Sequence, residues 1–395
     1  MSSSSASASI RTILPLACVT GVSMAAMDLY LPAVPALQTG LGVSVPLAQA
    51  TVAVYLAGLA GGQLLWGELL NRLGPRLCVE IGLALLALTS LGCALAPGID
   101  TLLVLRLLQG VAAAAATVVA PTVVRATLGD ADVVRGIAAI SMVEAIVPAA
   151  GPVLGAVLLR VMDWRGTFWI LMALALLVLP WVARIAPRRL PGLDLSHDAS
   201  YAAILRNRSY LRLALSHALC MGALLTFLSS APQLLQHTLG LGSDAFALLQ
   251  VLGVSSFMLS ASQSGRLAKR LGHARVVRLG NVVQLAACLL ALLGAWGWQQ
   301  LPYAAVAAYW MCFCGALAIR GPATFVDALA LPPAQMGRAT AMLVLALLAA
   351  GAIGTQLVAP FLGGADDAMP VFCGVLLQLL FSAALVWRYP VILKA

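Results

Sequence analysis

The chain has 395 residues, of which 62% are hydrophobic and only 9% charged, with a formal net charge of +9. Soluble domains carry about 25% charged residues, so this composition cannot cover a water-exposed surface and excludes a soluble globular fold. A transmembrane barrel needs alternating apolar and polar residues, whereas runs such as 81–96 and 341–354 are apolar all round, which leaves a bundle of membrane-spanning helices.

The first stretch, MSSSSASASIR at 1–11, is low in complexity and is expected to be a disordered cytoplasmic tail. The PLAC at 15–18 faintly resembles a lipoprotein processing site, but with one arginine before it and many spans after it the segment reads as an uncleaved first helix. Apolar runs between Gly, Pro and charge punctuation place spans at 12–33, 47–68, 77–96, 101–122, 136–158 and 166–186. A polar connection at 187–208 follows. A second set then runs at 209–231, 244–264, 275–297, 302–324, 338–361 and 370–388, before a short tail at 389–395. The expected protein is all-α, with twelve transmembrane helices in an N-terminal bundle (12–186) and a C-terminal bundle (209–388) joined by a cytoplasmic linker (187–208).

Of the 23 Lys and Arg, 19 sort to one side of this topology. Arg160 and Arg165 fall on the other side, and Arg106 and Arg320 lie within spans. The positive-inside rule therefore puts both termini and the linker in the cytoplasm, and the net charge reports topology rather than a nucleic-acid partner. The halves also repeat. GELLNRLG at 67–74 and GRLAKRLG at 265–272 share five of eight residues at a separation of 198. Two pseudo-symmetric six-helix bundles in parallel repeat are the architecture of a rocker-type secondary transporter.

The eight cysteines (Cys18, Cys78, Cys93, Cys220, Cys288, Cys312, Cys314 and Cys373) sit in or beside apolar runs and read as small core residues, not as a disulfide or metal framework. No GxxxxGK[ST] occurs and the only lysines are Lys269 and Lys394, which excludes a nucleotide-driven engine. No Ser/His/Asp cluster shares a membrane depth, so an enzyme is not expected, nor any cofactor beyond a proton as coupling ion.

Charges inside spans are costly and functional by default. Asp28 and Arg106 each lie five residues from the outer end of their spans, so they can face each other at one depth if spans 1 and 4 are neighbours. Desolvation favours a neutral carboxyl and a nearby guanidinium favours a charged one; a motion that changes the second term would load and release a proton. Glu144 lies near the midplane, as a site residue or as a group satisfied by a hydroxyl or by water. Arg320, four residues from the inner end of span 10, is expected to snorkel to the interface, with Asp327 on a similar helical face. PAAGPVLG at 148–155 places Pro148, Gly151, Pro152 and Gly155 at i, i+4 spacing, which predicts a bent, closely packed span 5.

In order along the chain, MDLYLPAVP (27–35), VYLAGLAGGQLLWGELLNRLGPR (54–76), RLLQGVAAAAA (106–116), GPVLG (151–155) and FLSSAPQLLQHTLGLGSDAFALLQ (227–250) resemble the major facilitator superfamily. The resemblance is to its drug:proton antiporters of the bicyclomycin/chloramphenicol-resistance branch. It implies export of small organic molecules in exchange for protons by alternating access, in multidrug or antibiotic efflux, by a monomer in a bacterial-type inner membrane. An exporter of an endogenous metabolite, such as a siderophore or an amino-acid derivative, would share every one of these motifs. The resemblance makes Asp28 the proton carrier and Arg106 its modulator. Tyr30, Tyr55, Gln109 and Glu144 are expected at the substrate cavity. Gly67, Glu68, Asn71, Arg72, Gly74 and Arg76 correspond to the inner gating motif, and Gly151, Pro152 and Gly155 to the span-5 antiporter motif. The chain departs from the pattern at Asn71, where the family carries aspartate, at Glu68, and at Val147 and Ala156, where glycines are usual. Glu68 is expected to take over the missing charge by pairing with Arg72 or Arg338. Relatives tend to be apolar where this chain has Glu144.

Overall fold

The computed structural model describes residues 2–127, 130–188, 201–297, 301–362 and 368–387, and every regular element among them is helical. In chain order these are α1 (Ser2–Asp28), α2 (Val34–Leu41), α3 (Val45–Leu73), α4 (Pro75–Leu95), α5 (Ile99–Thr127), α6 (Asp130–Leu158) and α7 (Gly166–Ile185). There follow α8 (Tyr201–Arg206), α9 (Arg208–Gln233), α10 (Ser243–Leu271), α11 (His273–Gly297), α12 (Tyr303–Ala328), α13 (Pro333–Val358) and α14 (Ala368–Trp387). Among the described residues, eleven helices are long and apolar enough to cross a membrane, and α6 carries a shorter apolar stretch, Met142–Leu158. The protein is therefore a multi-pass membrane protein, with each expected span on one of these helices.

The chain divides into two compact units, Met1–Leu195 and Ser196–Ala395. In the first, α3 packs on α5, α4 on α5 and α7, and α1 on α5, α6 and α7. In the second, α10 packs on α12, α11 on α12 and α14, and α9 on α12, α13 and α14. These are the same pairings, helix for helix, so the duplication glimpsed in the 67–74 and 265–272 stretches extends to the packing of each bundle. The two stretches also end alike, since Gly74 (φ +78°) and Gly272 (φ +79°) take a backbone conformation that an L side chain resists.

Apolar tails gain nothing by leaving lipid for a protein interior, so helices associate where small residues let their backbones approach. The α3–α5 seam shows this reciprocally. A Cβ on Gly58 would run into the carbonyl oxygen of Leu107, and one on Gly110 into that of Tyr55. Large apolar side chains such as Leu88 (63% exposed), Leu177 (72%) and Leu290 (70%) instead cover the outer faces. Two cysteines join them: Cys312 and Cys373 are exposed, contrary to the core role expected of all eight, whereas Cys78, Cys93, Cys220, Cys288 and Cys314 are buried. In lipid a thiol is as acceptable on an outer face as in a core.

Three further expectations change. Residues 2–11, expected as a disordered tail, continue α1 without a break. Once a span has nucleated, Ser and Ala extend it at little cost, and no Pro or Gly interrupts them. The first span does not run unbroken to residue 33: α1 stops at Asp28, a 3-10 turn covers Leu31–Ala33, and α2 carries on from there. Pro32 and Pro35 stand in the first turns of the 3-10 segment and of α2, where a missing N–H costs nothing, so each favours a fresh helix start there. The connection at 187–208 contains α8, whose buried Ile204 joins Tyr210, Leu213, Val277, Ala339 and Leu343 in one apolar cluster. Asn207 caps α9 by accepting from Ser209 and Tyr210 N–H at 3.1 Å each. Residues 189–200 of the linker and the tail 389–395 lie outside the described residues.

Candidate functional site

Arg106 sits seven residues into α5, fully buried. Its Nε donates to the Thr51 carbonyl of α3 at 3.3 Å and its Nη1 to the Ala26 carbonyl of α1 at 3.1 Å. Nη1 also donates to Gln109 Oε1, and the Gln109 amide in turn donates to Ser90 Oγ of α4 at 2.8 Å. The guanidinium carbon lies 4.3 Å from the ring centroids of both Tyr30 and Tyr55, and 5.7 Å from that of Phe168 of α7. The tyrosines are themselves fixed, Tyr30 to the Thr51 hydroxyl and Tyr55 to the Ser23 carbonyl at 3.2 Å. Five helices of the first unit thus converge on one cation and hold it entirely with neutral groups. Each desolvated cation–π contact contributes up to about 2 kcal/mol, which offsets part of the burial cost. Nη2 is left without a partner.

Asp28 is close by but makes no ion pair with Arg106 among the described residues. It is buried at 6% exposure, at the C-terminal end of α1, where the helix macrodipole opposes a negative charge. The depth expected from the sequence is right, because Arg106 reaches the carbonyl of Ala26, two residues earlier. The facing is not. Two helical residues are roughly 200° apart, so a side chain that engages α1 at Ala26 meets the opposite side from Asp28. Asp28 points to α6 instead: a Cβ on Gly151 would lie 2.6 Å from its Cβ and 3.2 Å from its backbone carbon. One turn further on, Gly155 admits the Leu29 carbonyl and Pro32 in the same way. The antiporter-like glycines are therefore the seat of Asp28. Pro148 and Pro152 are accommodated within the continuous helix α6.

Tyr30 (1% exposed), Tyr55 (1%) and Gln109 (0%) were expected to wall a cavity, but they are consumed by the cage around Arg106. Polar side chains that deep are drawn to the nearest unmatched charge. Glu144 differs from them all: it is exposed, on α6, with no hydrogen-bond or ion-pair partner among the described residues. In the gating stretch, Glu68 pairs with Arg72 at 2.9 Å on an exposed surface, and Arg76 with Glu80 at 2.8 Å. Gly67 has open space where a Cβ would stand. Gly74 lies against the Arg188 carbonyl, and the Arg76 N–H donates to the Pro187 carbonyl at 3.2 Å, which docks this turn on the chain leaving α7. The Asn71 side chain lies outside what the structure describes.

In the second unit Arg320 does not snorkel. It is fully buried, because α12 continues to Ala328 rather than ending near 324. Nη1 donates to Asn281 Oδ1 at 2.7 Å and Ser382 Oγ at 3.2 Å, and Nη2 to Ser216 Oγ at 3.0 Å. Asp327 is not its companion either, since it meets His273 Nδ1 at 2.7 Å at the start of α11. The groups that sequence reasoning missed are thus Thr51, Ser90 and Phe168 around one arginine and Ser216, Asn281 and Ser382 around the other. A polar residue inside a span at an arginine's depth was the available signal for the hydroxyls and the amide; the backbone carbonyls leave none.

The Major Facilitator Superfamily model matches residues 16–355. A chloramphenicol resistance protein of Pseudomonas aeruginosa is 32% identical over 299 residues, which cover 73% of this chain and 70% of that protein. The multidrug resistance protein MdtL of Escherichia coli is 30% identical over 235 residues, 58% of this chain and 60% of its own length. Among solved structures, an inward-facing bacterial homolog of the human lysosomal transporter Spinster shares the fold with a TM-score of 0.75 at 14% identity, over 96% of each chain.

Proposed function

The chain belongs to the Major Facilitator Superfamily and is a membrane transporter, not an enzyme, and from that premise we propose that it exports small organic molecules in exchange for protons by alternating access. The observation that carries this reading is the separate lodging of Asp28 and Arg106. Asp28 is buried with no ion-pair partner among the described residues, and a carboxyl group so placed is kept neutral by a bound proton. Arg106, held by neutral groups, is not consumed in an ion pair and keeps its positive field available. When the seat between α1 and α6 loosens and water reaches Asp28, that field favours release of the proton. Asp28 is then the proton carrier and Arg106 its modulator. The proton is the only coupling species the reading requires.

The distribution of basic residues supports a reading with both termini on the cytoplasmic side of a bacterial-type inner membrane, where the potential contributes about 2.3 kcal/mol per charge per 100 mV to inward proton movement. The relatives named for chloramphenicol and multidrug resistance support drugs as cargo. The working unit is taken as a monomer. The test is chloramphenicol movement in proteoliposomes under an imposed pH gradient. Asp28→Asn is expected to keep downhill exchange and lose uphill transport; full uphill transport by this variant would remove Asp28 from the coupling.

A further inference from the structure

Glu144 is the central residue of the 29-residue helix α6 and lies eight residues into the expected span 136–158, about 12 Å from its inner end and so near the middle of a bilayer core of about 30 Å. On insertion scales a carboxylate there costs about 2.5–3.5 kcal/mol if it faces hydrocarbon. Yet it is exposed, and nothing among the described residues pairs with it. The question is what its exposed face meets.

The rest of α6 answers this. Its lipid-like flank is marked by Met142 (62% exposed), Ile146 (48%), Leu154 (57%) and Val157 (49%). At about 100° per residue these four cluster on one side, and Glu144 stands roughly 140° away from their centre. The stripe that packs on α1 is marked by Val143 against Gly21, then Gly151 against Asp28 and Gly155 against Leu29. Glu144 falls on this same side, two turns before Gly151, and stays exposed although Gly21 of α1 meets Val143 and Val147 at that level. An exposed carboxylate turned away from the lipid flank faces water. In a transporter, water at that depth is the transport path.

We propose that Glu144 is the cation-recognising residue of this path and that the exported solute carries a positive charge, as a protonated amine or a quaternary onium group. The proposal rests on the proton-coupled exporter reading above and adds the charge class of the cargo. Glu144 and the seat of Asp28 at Gly151 are on one stripe of α6, about 10 Å apart along the axis. Cargo at Glu144 is therefore near enough to the proton carrier for each positive charge to disfavour the other, which is what exchange requires. Asp100 and Arg184 are also exposed, but each stands one residue from the end of its helix, whereas Glu144 is midway along α6.

The experiment uses the full chain in proteoliposomes with a pH gradient and two probes, tetraphenylphosphonium as cation and chloramphenicol as neutral solute. Glu144→Gln is expected to lower the ratio of phosphonium to chloramphenicol transport at least tenfold, through a raised Michaelis constant for the cation, and Glu144→Asp to restore most of it. A ratio within twofold of the unaltered protein in Glu144→Gln overturns the assignment, as does an equal loss of both probes that Glu144→Asp fails to rescue. If the unaltered chain moves chloramphenicol uphill but not the phosphonium, the cation proposal fails and the exporter reading stands. If it moves neither, both fail together.

Discussion

Gly151 packs directly on Asp28: a single added methyl group would come within 2.6 Å of the aspartate Cβ. Real Cβ atoms do not approach that closely, so Gly151→Ala must push α6 from α1 or turn the carboxyl group out of its seat. Overpacking of this kind costs about 1–3 kcal/mol. The variant is expected to melt lower and to lose uphill transport at least about fivefold. Gly67→Ala is the matched control, since its methyl group would meet nothing within 4 Å. It should change stability by no more than about 1 kcal/mol, in the stabilising direction, because alanine is the better helix former. Thermal unfolding of the two purified variants decides between them.

The cage around Arg106 is specific to a guanidinium. Lysine keeps the charge but presents a point ammonium, which cannot lie flat between Tyr30 and Tyr55 while serving the Thr51 and Ala26 carbonyls. Hydrogen bonds to a charged group contribute about 1.5–3 kcal/mol each, so loss of even one is felt. Arg106→Lys is expected to reduce transport at least about tenfold and to lower stability measurably. Tyr55→Phe keeps the ring and gives up only the bond to the Ser23 carbonyl, for a cost of about 1 kcal/mol. Equal behaviour of the two variants would mean that charge alone matters at this site.

How much of this could be read from the sequence depends on what each feature needs. A bilayer sets the length of an apolar crossing, so the runs between punctuation fell on the right helices. Five residues shared between 67–74 and 265–272 betrayed the duplication, and the positive φ of Gly74 and Gly272 that closes both stretches was seen only in the structure. The depths of Asp28 and Arg106 followed from counting. Their facing did not, because Arg106 is bound largely by carbonyls of α1 and α3, and every residue has a carbonyl. Arg320 was misplaced for a different reason. Hydropathy ends a span where apolar residues thin out, but α12 continues through Asp327 to Ala328, and those extra residues carry Arg320 into the core. The pairing of Asp327 with His273 joins residues 54 apart in sequence, beyond any helical periodicity.

Asn281 and Glu68 separate buried from surface electrostatics. Asn281 supplies the shortest acceptor to the buried Arg320, at 2.7 Å, so Asn281→Leu leaves a desolvated cation short of a partner and should cost about 1.5–3 kcal/mol. Glu68 pairs with Arg72 across one exposed helical turn, and such pairs contribute about 0.3–0.5 kcal/mol. Glu68→Gln is expected to leave the unfolding temperature nearly unchanged, with any small effect vanishing at high salt. Chemical denaturation of both variants at two ionic strengths checks the contrast.

The tethering of Arg106 to the backbones of α1 and α3 has an electrical consequence. A guanidinium fastened to two helices travels only as far as they do, so it contributes little gating charge of its own. On the proposed exchange, the current of each cycle is then set by the passengers, protons inward and cargo outward. With one proton exchanged for one monovalent cation the cycle is electroneutral and indifferent to voltage, whereas a neutral cargo makes it electrogenic and driven by the full membrane potential. Under the proposed exchange, an arginine that moves only with its helices leaves the charge of the solute to decide which component of the proton-motive force drives transport.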